Sequence, residues 1–203
     1  MDRHLPFSRL RKDDAMTEDF TAERDGATVE SGRLRLRPLA MKDAQPLANL
    51  ANDRHLAAML ARIPHPYRLS DARAFIADHG SEIVFALCLK EEDRFVGCCG
   101  LKPSGRKGRA ELGYWVGRAY WGRGIATEGA QAVIDYGFTR LRLDAIDVSC
   151  RVVNEASRRV IRKCGFHFCG SGMIESVSSG RVASEHFVMD RSCWTSLKAW
   201  GRQ

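Results

Sequence analysis

The sequence has 203 residues, 44% hydrophobic and 28% charged, with a net charge of +7. That length suits one domain with a full core and one cleft, and the lack of any run of about 18 apolar residues excludes a spanning helix. The charged N-terminal stretch has no apolar core of a secretory leader, and seven cysteines without regular spacing point to reduced thiols in a cytosol, not a disulfide frame.

Charge is unevenly spread. Residues 1–12 carry four bases and one acid, and residues 13–30 carry seven acids and one base. The body from residue 31 onward is therefore more basic than the chain as a whole. Such a body suits a polyanionic cofactor or an RNA-rich partner, and equally a plain solvated surface. Residues 1–30 are polar and without periodicity, and are expected to form a mobile extension before one domain at 31–203. Leu34 and Leu36 alternate with arginines, which predicts a half-buried strand ended by Pro38. Asp43 to Leu60 reads as one or two helices. Ile63-Pro64-His65-Pro66-Tyr67 cannot be helical, because each proline restricts the residue before it. Ser70 is the expected N-cap of a helix reaching about Asp78.

Ile83 to Leu89 is an apolar run of strand length, and Arg94 to Leu101 follows after a polar turn, so a hairpin is expected. Lys102 to Gly108 reads as a basic, glycine-bearing loop. Ala110 to Val116 continues the meander as a third strand. The helix near residues 125–138 places Ala126, Ala130, Val133, Ile134 and Gly137 on one face. Ala145 to Ser149 is a short strand. Asn154 caps a helix ending at Cys164, where Gly165 supplies the left-handed turn. Phe166 to Ser171 and Ser184 to Arg191 are the last strands, and Ser192 to Trp200 a terminal helix. A meander followed by alternating strands and helices indicates a mixed α/β sheet.

The chemistry centres on Trp121-Gly122-Arg123-Gly124-Ile125-Ala126-Thr127-Glu128, between a strand and a helix N-terminus. Glycines let backbone approach closely, unpaired helix N–H groups point outward, and the helix dipole favours an anion there. Position 125 is Ile and no Lys-Ser/Thr pair follows, so this is not a triphosphate loop. Thr127 stands where the dinucleotide fingerprint has its third glycine. The loop is expected to hold a pyrophosphate with backbone alone.

Residues 121–126 resemble the Q/R-x-x-G-x-G/A signature of the GNAT N-acetyltransferase superfamily. Trp121 replaces the usual Gln or Arg, and with Tyr120 it resembles the RimJ/RimL-like branch, which acetylates the N-termini of ribosomal proteins. Arg33 to Pro38, Ile63 to Tyr67, Ala110 to Trp115, and Asn154 to Ser157 followed by Lys163 to Phe166 fit the same branch in the same order. The resemblance covers roughly residues 33–194 and implies a mostly antiparallel sheet of about seven strands flanked by helices. It implies acetyl-CoA as co-substrate, no metal, and direct attack by a primary amine without a covalent enzyme intermediate. The implied acceptor is a protein N-terminus, possible ribosomal targets included. A polyamine or antibiotic acetyltransferase, or a non-catalytic acyl-CoA-binding or RNA-associated module, are the alternatives. No membrane partner is expected, and the oligomeric state stays open.

The same resemblance assigns Gly122, Arg123, Gly124, Ile125, Ala126 and Thr127 to the pyrophosphate. It gives the backbone of Trp115, Val116 and Gly117 to the pantetheine arm, with an N–H near Val116 as oxyanion donor. Glu111 shares a strand face with Gly113 and Trp115. A lone acid on an apolar strand, expected to be partly buried, is a candidate base; a surface glutamate paired with Arg109 or a nearby cation is its other reading. Many GNAT enzymes have Tyr where this chain has Ile161, so Ser157, one turn earlier, is the candidate proton donor to the thiolate. Asn154 is expected to cap the helix and to touch the pantetheine. Arg158, with Arg159, Arg162 and Lys163, forms a basic face within reach of the CoA 3′-phosphate, or a solvated one. His65 and Tyr67 are specificity candidates, and Cys164, His167 and Cys169 lack the paired spacing of a zinc site.

Overall fold

The computed structural model describes residues 27–200. Strands β1 (Val29–Glu30) and β2 (Leu34–Pro38) open the domain, followed by helices α1 (Ala44–Ala51), α2 (Arg54–Met59) and α3 (Leu69–Ala77). The meander β3 (Ile83–Leu89), β4 (Arg94–Pro103) and β5 (Arg109–Val116) leads into α4 (Ile125–Thr139). Then come β6 (Ala145–Arg151), α5 (Glu155–Cys164), β7 (His167–Ser176), β8 (Gly180–Asp190) and α6 (Arg191–Trp200). The eight strands form one sheet in the order β1-β2-β3-β4-β5-β6-β8-β7. Only β5–β6 is parallel. The expected mixed α/β, mostly antiparallel architecture is the one observed. Among the described residues no helix is long and apolar enough to cross a membrane.

Two clusters of apolar side chains explain the strand patterns. Leu34 and Leu36 are fully buried beneath α4 while their arginine neighbours face outward. Such burial is worth about 1.5–3 kcal/mol for each leucine. β3 is apolar throughout because both faces are covered. Phe85 and Leu87 join the cluster under α4 and α5, whereas Ala86 and Cys88 join the one under α1 and α3. Cys98 and Cys99 divide the same way, and burial pushes both thiols well above their usual range. They are packing residues.

Three sequence expectations shift. Val29–Glu30 pair antiparallel with Leu36 and Arg35, so the last residues assigned to the extension belong to the sheet and bring its strands to eight. A two-residue strand is too short to show periodicity. The rest of the proposed extension, residues 1–26, lies outside the described residues. The third helix has Arg68 at its N-cap and begins at Leu69, two residues before the start that a Ser70 cap implies, so Ser70 lies inside it. Asp71 closes its N-terminus by accepting the Arg68 N–H at 2.7 Å. Third, β4 runs on through Lys102 and Pro103, shortening the predicted loop.

One topological feature makes a cleft. The parallel strands β5 and β6 pair only from Arg109↔Ala145 to Glu111↔Asp147. Beyond that point β5 continues to Val116 and β6 to Arg151 with no register between them. The sheet therefore splits in its middle, with helix α5 on one side and the α2–α3 segment on the other.

Candidate active site

A cavity of about 590 Å³ fills this split. Glu111, Tyr114 and Trp115 of β5, Ser149 of β6, and Asn154 and Ser157 of α5 line it. Two of the proposed catalytic residues, Glu111 and Ser157, thus share one space, although they are far apart in sequence.

Backbone geometry decides what β5 offers. Gly117 N–H donates to Val96 O at 2.9 Å, and Ser104 N–H donates to Arg109 O at 3.1 Å. Between these rungs the hydrogen-bonded pairs with β4 fall on odd residues, so even residues turn their N–H and C=O toward the split. This corrects the predicted backbone trio. Trp115 and Gly117 face β4, whereas Val116, together with Tyr114, presents main-chain groups to the gap. The Val116 carbonyl accepts the Trp121 indole Nε1–H at 2.7 Å. The tryptophan that departs from the motif thereby ties the glycine loop to the end of β5.

The loop itself needs its glycines. Gly122 and Gly124 have φ of 75° and 77°, a left-handed conformation that side chains disfavour. Gly124 is also the N-cap of α4, with Ile125, Ala126 and Thr127 in the first turn. An added Cβ at Gly122 would meet nothing within 4 Å, so the space beside the loop is open. Arg123 lies over the Tyr120 ring, 5.8 Å from its centroid. A clamp not foreseen from sequence fixes the loop from behind. Arg33 donates from Nη1 to Arg123 O at 2.9 Å and from Nε to Glu128 at 2.8 Å. Glu128 also accepts the Arg33 N–H and the Ser31 hydroxyl. Burial pushes the Glu128 carboxyl up, but these donors outweigh it and hold the group below its ordinary value.

On the opposite flank, Glu111 is exposed to the cavity and not partly buried as expected, because Gly113 beside it and the split beyond it leave no cover. Of its alternative partners, Arg109 is committed elsewhere, to Asp147 through Nε at 3.0 Å and Nη2 at 2.5 Å, whereas Arg62 is a nearby cation whose charge Glu111 supports. Among the described residues Glu111 accepts no hydrogen bond. The neighbouring Glu82, itself buried, is held by a bidentate contact from Arg62, with Nη2–Oε2 at 3.0 Å.

Ser157 has a hydroxyl neighbour. Its Oγ lies 2.8 Å from the Tyr114 hydroxyl, which also reaches the Ser157 carbonyl at 3.2 Å. Burial pushes the Tyr114 phenol well above its usual value, so it stays protonated. In the sequence Tyr114 is only one residue of the predicted strand from Ala110 to Val116. A hydroxyl meeting a helix 43 positions later has no local signature. Asn154 caps α5 by accepting the Ser157 N–H at 3.0 Å, and its Nδ2 reaches Met59 O at 3.4 Å.

Arg158 departs from expectation. Its Nε donates to Glu185 at 2.6 Å and its Nη2 to Val152 O at 2.7 Å. The guanidinium is committed to β8 and does not join the exposed basic face, which Arg159, Arg162 and Lys163 keep. Tyr67 lines the cavity, and burial pushes its phenol up to about 12. His65 is exposed and outside the cavity lining. His167 contacts Cys193 at 3.2 Å.

Residues 33–167 match the family model described as Acetyltransferase (GNAT) domain. The chain is 33% identical over 146 residues to Uncharacterized N-acetyltransferase p20 of Bacillus licheniformis, covering 68% of this chain and 82% of that protein. It is 29% identical over 153 residues to spermidine N(1)-acetyltransferase of Escherichia coli, covering 73% of this chain and 80% of that one. The fold is similar to Mycobacterium smegmatis RimJ in complex with CoA-disulfide, with a TM-score of 0.73 and 24% identity, over 87% of this chain and 96% of that chain.

Proposed function

This chain belongs to the GNAT N-acetyltransferase family, and from that premise we propose that it transfers acetyl from acetyl-CoA to the α-amino group of a protein N-terminus. The site residues fit the co-substrate in two respects. The open space at Gly122, beside the helix N-terminus that Gly124 caps, suits a pyrophosphate. The main-chain groups that Tyr114 and Val116 turn to the split, apart from the Val116 carbonyl that Trp121 holds, suit an extended amide-bearing arm, held as an added strand.

Each remaining step falls to a residue of the cleft. Glu111 takes a proton from the incoming ammonium, which frees the lone pair for attack on the thioester carbonyl. The Val116 N–H donates to the oxygen that gains charge as the carbon becomes tetrahedral. Ser157 passes its hydroxyl proton to the departing sulfur while the Tyr114 hydroxyl, 2.8 Å away, turns from the Ser157 carbonyl to donate to Oγ. No bond to the enzyme forms. An α-amino group, with an unperturbed pKa near ~8, is easier to deprotonate than a lysine near ~10.

One observation carries the choice of acceptor. Of the two carboxylates that line the cavity among the described residues, Glu82 is hydrogen-bonded by Arg62, which leaves Glu111 as the one that accepts no hydrogen bond, although the charge of Arg62 reaches it. Arg62, Lys102 and Arg151 stand in the same walls. A polyamine brings several ammonium groups that need carboxylates; an N-terminus brings one amine. The test is acetyl-CoA consumption with unblocked peptides, the same peptides N-terminally blocked but carrying lysine, and spermidine. Turnover is expected on the unblocked peptides alone. Turnover confined to spermidine would replace the N-terminal reading with the small-amine one.

A further inference from the structure

The mechanism leaves one proton without an exit. An ammonium enters with three N–H bonds and leaves as an amide with one, so two protons depart from nitrogen as the C–N bond forms and the C–S bond breaks. Glu111 accounts for the first. The second is released close to the wall opposite β5.

That wall holds a serine–histidine–serine array. Ser149 is two residues beyond Asp147, the register partner of Glu111, so Ser149 and Glu111 face the same side of the sheet across the split. Both line the cavity. Ser149 and His186 are direct cross-strand partners, and Ser149 Oγ lies 2.9 Å from His186 Nδ1. The other ring nitrogen, Nε2, lies 3.2 Å from Ser184 Oγ, and Ser184 is fully buried. Space for the ring is provided by β7. A Cβ added at Gly172 would sit 2.9 Å from Nε2.

We propose that Ser149 touches the acceptor amine and that His186, acting through it as a positioning residue, receives the second proton. This rests on the reading that amine attack occurs in this cavity. With hydrogen on Nε2, that nitrogen donates to Ser184 Oγ, and Nδ1 accepts from the Ser149 hydroxyl. The lone pairs of Ser149 Oγ are then turned to the amine N–H. As the C–N bond completes, the amine proton passes to Ser149 while the Ser149 proton passes to Nδ1. Glu111 and His186 each return one proton to solvent. Ser157 recovers from solvent the one it gave to sulfur, so the net release is one proton per turnover. Histidine suits such a shuttle because one ring nitrogen accepts while the other donates.

The test uses the full chain with a peptide acceptor that it acetylates. Ser149→Ala removes the cavity end of the array, and His186→Gln keeps a polar side chain that cannot take up a proton. Each is expected to lower kcat about tenfold or more, with acetyl-CoA affinity and melting temperature unchanged. The double variant should lose no more than the worse single one, since both act on one path. Ser149→Ala combined with Glu111→Gln should instead multiply the losses, since those exits are separate. Gly172→Ala should reproduce the His186→Gln loss by displacing the ring, in an otherwise unaltered array. Full kcat in a folded His186→Gln protein, or losses that multiply within the pair, would overturn the relay. A rise in acceptor KM with kcat intact would reduce Ser149 to a binding contact and overturn it as well. If the wild-type chain acetylates no amine, the reading beneath the proposal falls and the relay with it.

Discussion

The two flanks of the cleft are built by opposite means. The flank with the glycine loop, proposed to hold the co-substrate, is made of main chain: two left-handed glycines, a helix N-terminus and the even residues of β5. Apart from Ser157, proposed to act on the sulfur, its side chains hold the loop in place, as Trp121 and Arg33 do. The flank proposed to receive the acceptor is made of side chains from separate elements. Glu111 comes from β5, Ser149 from β6 and His186 from β8, while Arg62 comes from the segment between α2 and α3. The contrast suggests that one flank serves a constant ligand and the other a selected one. Backbone recognition tolerates changes of side chain, whereas an array of side chains can be retuned one residue at a time.

Substitutions sharpen that contrast. The largest effect is expected on the acceptor flank, where Glu111→Gln changes little but the base. Turnover at neutral pH should fall by about 10²–10⁴-fold, the usual worth of a general base. Acetyl-CoA affinity should stay put, which calorimetry can check. The loop should answer in the opposite sense. Gly124→Ala places a Cβ on a residue with φ of 77°, and should weaken acetyl-CoA binding about tenfold or more while leaving the acceptor KM alone. Unchanged affinity in a folded variant would break the pyrophosphate assignment. Tyr114→Phe, on the border between the flanks, removes the hydroxyl 2.8 Å from Ser157 Oγ. A loss in kcat of about tenfold without change in either KM is expected, because the serine then acts unsupported.

The smallest effect concerns pH. Glu128 is held below its ordinary value of 4.5 by Arg33 and Ser31, against the opposing push of burial. A depressed carboxyl contributes stability above its unfolded value and loses it as pH falls through its folded value. The melting temperature of the wild-type chain should therefore drop faster below pH 4.5 than that of Glu128→Gln. Parallel curves would show that the clamp adds no pH-dependent stability.

What was legible in the sequence follows the same divide. The glycine loop, the Asn154 cap and the alternation of Leu34 and Leu36 with arginines are local patterns, and a few consecutive residues state them in full. Glu111 and Ser157 were reached through motifs, but their surroundings were not. Whether Glu111 is covered depends on where β5 and β6 part, and no residue within β5 encodes that point. Tyr114 meets Ser157 across 43 positions, and Arg33 meets Glu128 across 95. Arg158 was grouped with its basic neighbours because helical spacing shows only its own helix, whereas Glu185 lies on another strand. Ser149 and His186 escaped notice for the same reason, since cross-strand register is a property of the assembled sheet.

The most direct test of the cleft as a divided proton machine is the pH–rate profile of Glu111→Gln and Ser157→Ala, with one peptide acceptor at saturating acetyl-CoA. Glu111→Gln should be slow at neutral pH and recover as pH rises toward the pKa of the amine, since a neutral amine needs no base. Ser157→Ala should be slower at every pH without moving that limb, because departure of the thiolate does not depend on the ionisation of the acceptor. A Glu111→Gln profile that overlays wild type, or a Ser157→Ala enzyme as fast as wild type, would contradict the division of labour between the two flanks.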